Sequence, residues 1–81
     1  MLSILFDNKF KKEFSKLDKS IKEKVIKQIE KLNTNPETGK LMRYTRKGTR
    51  ELYISPFRLS YSYIKEENRI IILALYHKKG Q

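Results

Sequence analysis

Phe57-Arg58-Leu59-Ser60-Tyr61-Ser62-Tyr63 alternates large apolar or aromatic side chains with polar ones at every step, and this period of two decides the reading of the second half of the chain. It predicts a half-buried strand in which Phe57, Leu59, Tyr61 and Tyr63 share the packed face while Arg58, Ser60 and Ser62 share the other. Downstream, Lys65-Glu66-Glu67-Asn68 predicts a turn. Arg69 to Tyr76 is then almost continuously apolar, as expected of a central strand covered on both sides. Upstream, Ser55-Pro56 turns the chain after Arg50 to Ile54, which alternates as a strand. Arg46-Lys47-Gly48 is a turn candidate, and Leu41 to Thr45 reads as a short strand or an extended arm.

The first half changes period. Leu2, Ile4 and Phe6 alternate as a short N-terminal strand, and Asp7 is placed to cap a helix in which Phe10, Phe14 and Leu17 recur at spacings of four and three. Asp18 ends that helix and caps a second, with Ser20 and Glu23 as a competing capping-box start. Ile21, Val25, Ile29 and Leu32, backed by Ile26, carry the second helix from about residue 19 to residue 33. The turn formers of Asn33-Thr34-Asn35-Pro36-Glu37-Thr38-Gly39 stop it. The expected fold is α+β and a single domain over residues 1–81: an N-terminal strand, a two-helix hairpin, then a three- to four-stranded antiparallel sheet with the helices on one face.

Composition narrows the chemistry. The 81 residues include no cysteine and one histidine, so disulfides, thiolate sites and multi-histidine metal sites drop out, and metal-free, cofactor-free chemistry is expected. Nineteen basic against nine acidic residues give a net charge of +10 and a pI near 10.0, the balance of a polyanion binder. Residues 7–33 hold nine lysines against five acids, whereas residues 34–81 hold ten basic residues against four acids, and every arginine lies in the second stretch. Arginine's planar fork suits phosphate, while lysine is the ordinary solvating residue of an exposed helix. Neither a signal-like apolar core nor a run of transmembrane length is visible, which predicts a soluble cytoplasmic protein with no membrane partner.

Strand alternation puts Arg58 on the face away from the helices, with Glu51 expected beside it on the preceding strand and His77 or Lys79 at the end of the last. Cleaving RNA without a metal needs a base for the 2′-hydroxyl, a cation for the phosphorane and an acid for the leaving 5′-oxygen, and these residue types suit those roles. Glu51 is equally well explained as a cross-strand ion-pair partner of Arg50 or Arg58, and His77 as a solvated strand-end residue. Of the tyrosines, Tyr53 and Tyr76 are the ones expected at the surface; Lys78 and Lys79 also read as a solubilising basic tail.

Gly48-Thr49-Arg50-Glu51-Leu52-Tyr53-Ile54, Phe57-Arg58-Leu59-Ser60-Tyr61 and the apolar strand leading to His77-Lys78-Lys79 follow Phe10-Lys11-Lys12-Glu13-Phe14 with Lys16-Leu17, and Ile29-Glu30-Lys31-Leu32 with Asn35-Pro36, in the two-helix portion. In this order and spacing the chain resembles, over nearly its whole length, the RelE/ParE superfamily of toxins. It implies a RelE-like β-α-α-β-β-β fold and the toxin of a type II toxin–antitoxin system. In the RelE branch that means a ribosome-dependent mRNA endonuclease that inhibits translation, with a cognate antitoxin, the ribosome and mRNA as partners. Arg58 matches that branch's phosphate-stabilising arginine, His77 the C-terminal histidine of the related YoeB toxins, and Lys79 falls near a second catalytic arginine. Arg58, Glu51, His77 and Lys79 are therefore the catalytic candidates, and Arg43, Arg46, Lys47, Arg50, Tyr53 and Lys78 the RNA-binding ones. The pattern departs at Glu51 and Tyr53, where the RelE branch carries lysines, and the sequence ends before that branch's C-terminal tyrosine. The alternatives are the ParE branch, which poisons DNA gyrase, and a non-catalytic basic module that binds RNA or ribosomes.

Overall fold

The computed structural model describes residues 2–42 and 48–77. Its elements run β1 (Ser3–Phe6), α1 (Asn8–Ser15), α2 (Lys19–Thr34), β2 (Lys40–Leu41), β3 (Arg50–Ile54), β4 (Phe57–Ile64), a single 3-10 turn (Lys65–Glu67) and β5 (Arg69–His77). Both caps form where the sequence puts them. Asp7 accepts from the Lys9 amide at 2.8 Å, and Asp18 accepts from the Ile21 amide at 3.0 Å and the Ser20 hydroxyl at 2.8 Å. These bonds, Ile21 first, hold the Asp18 carboxyl below its ordinary pKa.

The sheet has five strands in the order β1-β5-β4-β3-β2. The expected antiparallel meander is present as β3-β4-β5, but β1 joins it parallel to β5, with Ile4 opposite Ile70 and Phe6 opposite Ile72, so the sheet is mixed. A parallel partner needs a crossover, and the α1–α2 hairpin is part of it. The strand expected within residues 41–45 is the two-residue β2 at the far edge; residues 43–47 lie outside the described part of the chain.

The helices cover one face. Val25 and Leu32 of α2 and Phe10 of α1 bury against Ile54, Leu59, Tyr61, Ile70, Ile72 and Leu75, each large aliphatic contributing about 1.5–3 kcal/mol by leaving water. Leu59→Ala at the centre of this layer would cost about 2–5 kcal/mol. Two expectations change. β5 is central but not covered on both sides, since Ile71 and Leu73 stay partly exposed on the face away from the helices. Ile26, read as support for the α2 stripe, is largely exposed and lines an apolar groove of about 370 Å³ with Phe6, Phe10, Phe14 and Ile29. No helix of the described residues is long and apolar enough to cross a membrane.

One irregularity sets which side chains meet on the open face. From Phe57–His77 to Ser60–Ala74 the β4–β5 pairs keep one register; from Tyr61–Ile72 onward it shifts by one, skipping Leu73. This β-bulge reverses the facing of everything after it in β5. Leu75 thereby joins Ile70 and Ile72 in the core, and Tyr76 and His77 exchange the faces that uninterrupted alternation would assign them.

Candidate active site

The face away from the helices carries two rows of side chains across the strands. Lys40 of β2, Glu51 of β3 and Ser60 of β4 stand opposite one another in the first; Tyr53, Arg58 and Tyr76 of β3, β4 and β5 form the second. Glu51 is 6% exposed and is the carboxylate at the centre. It accepts a hydrogen bond from the Tyr76 hydroxyl through Oε2, and its Oε1 lies 3.5 Å from Arg58 Nη1. A charge-assisted hydrogen bond is ordinarily 2.7–2.9 Å, so the contact with Arg58 is an ion pair rather than a close hydrogen bond. Arg58 Nε is buried with no acceptor among the described residues, and its side chain as a whole is 36% exposed. It is the exposed part of the guanidinium, not the buried Nε, that an incoming anion can meet. Lys40, Met42, Glu51, Tyr53 and Arg58 line a pocket of about 280 Å³, and Tyr53 stands 58% exposed at its wall. A cation able to grip a phosphate, a carboxylate able to take a proton and an aromatic face able to stack a base thus share one concavity, and a phenol able to give a proton is hydrogen-bonded to that carboxylate.

The structure brings together Arg58, Glu51 and Tyr53 of the residues singled out in the sequence. It does not bring His77 to them. His77 pairs with Phe57, on whose ring its imidazole stands edge-on with centroids 5.4 Å apart, because the bulge at Leu73 turns it to the helix side. Arg50 is also turned away, pairing with Tyr61 on the helix-covered side, where its Nη1 donates to the Gly39 carbonyl at 2.9 Å and the Glu37 carbonyl at 3.2 Å. Strand alternation alone separates Arg50 from Glu51, so this displacement could have been read from the sequence. Arg43, Arg46, Lys47, Lys78 and Lys79 lie outside the described residues. Tyr76 and Lys40 were not among the sequence candidates. Tyr76 reaches the site only through the bulge, and Lys40 only through the β2–β3 register.

With this geometry, a sequence profile described as the ParE toxin of the type II toxin–antitoxin system parDE matches residues 4–81. The chain belongs to this family. No protein of curated function gives a significant sequence match. Among solved structures, the chain is similar to one from the RelBE2 toxin–antitoxin complex of Mycobacterium tuberculosis, at TM-score 0.85 and 24% identity over 95% of this chain and 98% of that one. It is also similar to a chain of the Escherichia coli RelBE complex, at 0.80 and 20% over 95% and 96%, and to a YoeB/ParE toxin from Agrobacterium tumefaciens, at 0.83 and 13% over 94% and 98%. At these identities the structural likeness establishes the fold, and the family match establishes a toxin of a type II toxin–antitoxin system within the RelE/ParE superfamily.

Proposed function

We propose that this toxin is a metal-independent mRNA endonuclease that acts on the ribosome and so inhibits translation. The observation that carries the reading is that Glu51 and Arg58 line one pocket of the open face as an ion pair, with Tyr76 hydrogen-bonded to Glu51 behind them. Glu51 takes the proton of the 2′-hydroxyl as that oxygen bonds to phosphorus. Arg58 stabilises the charge of the phosphorane, and the bond to the 5′-oxygen breaks as Tyr76 gives that oxygen its proton. The products are a 2′,3′-cyclic phosphate and a 5′-hydroxyl. Glu51 is then protonated and Tyr76 ionised, and the hydrogen bond joining them returns the proton, so the site resets without a cofactor. Tyr76 thus takes the acid role that the sequence offered to His77. Tyr53 at the pocket wall supplies a face for a flanking base.

A cognate antitoxin is the expected inhibitor. The similar M. tuberculosis and E. coli structures are of toxin–antitoxin complexes, and a chain of net charge +10 with an apolar groove on its helix layer suits an acidic, amphipathic partner. Poisoning of DNA gyrase is the second reading. It is favoured by the match to a ParE profile and by Glu51, which neutralises Arg58 where a phosphate would otherwise sit alone.

Primer extension on a translated message after induction, run beside a gyrase supercoiling assay, separates the two. New 5′ ends within the message and intact supercoiling are expected. An uncut message with inhibited gyrase overturns the endonuclease reading in favour of the second.

A further inference from the structure

Arg58 and Glu51 form an ion pair, so by themselves they give the pocket no net charge to attract an anion. Lys40 changes that balance. It is the cross-strand neighbour of Glu51 in β2, so the two side chains share the open face, and it lines the same pocket as Glu51 and Arg58. The carboxylate is already engaged by Tyr76 on one oxygen and by Arg58 on the other, and none of the described ion pairs includes Lys40. Among the described residues, two cations against one carboxylate leave the pocket lining at +1, the complement of one phosphodiester.

The backbone that carries Lys40 is fixed from the opposite side of the sheet. The Tyr61 hydroxyl accepts from the Gly39 amide and donates to the Pro36 carbonyl, both at 2.8 Å, while Arg50 holds the carbonyls of Glu37 and Gly39. Gly39 fits because it lacks a side chain: a Cβ there would stand 2.6 Å from the Tyr61 oxygen. The chain therefore enters β2 in one position, and the next residue is Lys40. A lysine at an edge strand is ordinarily a solvated blunting device. Here the clamp and the register bring it to the concavity that holds the Arg58–Glu51 pair.

We infer that Lys40 is a phosphate-binding residue of this site, the cation on which the pocket's attraction for a single-stranded RNA backbone depends. The inference rests on the RNA reading above. Its test is the affinity of the full chain for a fully 2′-O-methylated single-stranded oligoribonucleotide, which cannot be cleaved, measured against salt concentration. If roughly six phosphates are neutralised, the parent shows a log–log slope of about −4. Lys40→Met is expected to bind about tenfold more weakly at low salt, as for one lost hydrogen bond to a charged group, and to flatten the slope by about 0.7. Lys40→Arg restores both, and Lys27→Met, which removes the same charge from the helix layer, changes neither.

Parent-like binding by Lys40→Met overturns the inference, and so does an equal loss in Lys27→Met, which makes Lys40 one charge among nineteen. In either case a loss of affinity in Arg58→Met leaves the RNA reading standing. A parent whose binding ignores salt brings down both.

Discussion

Two arginine–tyrosine constellations occupy opposite faces of the same strands, and they do different work. On the helix-covered face, Arg50 and Tyr61 hold main-chain groups of residues 36–39, Arg50 pairing in addition with the Glu37 carboxylate at 3.7 Å, and Tyr61 is fully buried. On the open face, Arg58 and Tyr76 meet the Glu51 carboxylate beside a pocket. Main-chain partners cannot leave, so the first pair is structural. The second pair has a side-chain partner and solvent access, so its charge and protons remain available to a ligand.

The most drastic way to break this division is Leu75→Asp, at the residue that the bulge turns into the core opposite Leu59. It would bury an unpaired carboxylate among aliphatic side chains, and the loss approaches the whole stability of a small domain, about 5–15 kcal/mol. No cooperative melting transition is expected by circular dichroism; a parent-like melt would show that the bulge does not turn this position inward.

Arg58→Ala tests the open face alone. It should lower the cleavage rate by roughly two to three orders of magnitude, comparable to losing one oxyanion donor, while the melting temperature scarcely moves. Arg58→Lys should recover little, because a point charge does not replace a bidentate fork. Loss of activity that tracks loss of folding would make Arg58 structural like Arg50.

Tyr61→Phe is the matching test of the covered face. Removing the hydroxyl strands the Gly39 amide and costs about 1–3 kcal/mol, read as a lower urea midpoint. Burial raises the Tyr61 pKa above its ordinary 10.0, so the folded state keeps a proton that the unfolded chain gives up. Its contribution is complete below pH 10 and falls as the pH rises beyond that, and Tyr61→Phe should flatten this alkaline decline. An unchanged decline would assign it to other groups.

The smallest effect is expected at Asp18. Asp18→Ala removes the α2 cap and should lower the melting temperature slightly without altering activity. In the parent, the lowered carboxyl pKa means that the cap's stability is present above about pH 4 and is lost as pH falls through the folded value. A melting temperature equally acid-sensitive in Asp18→Ala would remove that assignment.

Much of this division was legible in the chain itself. The period of two over residues 57–63 and the three-and-four spacing of Ile21, Val25, Ile29 and Leu32 gave strand and helix, because those patterns are consequences of local backbone geometry. The same alternation placed Arg58 on the open face, and applied one strand earlier it separates Arg50 from Glu51. The parallel pairing of β1 with β5 was not legible, since a four-residue alternating segment does not name its partner or its direction. The groove beneath Ile26 likewise depends on how α1 and α2 pack, not on the stripe of either helix.

What the sequence by itself determined was the net charge of +10, and the order and kind of elements and the facing of Arg58, the last two set by residues within a few positions of one another. What only the tertiary structure decided was which side chains stand beside Arg58. One skipped residue in the β4–β5 ladder put Tyr76 there in place of His77, and the pairing of β2 with β3 added Lys40. Register between strands is fixed by the fit of a whole buried face against its helices, so no local pattern carries it.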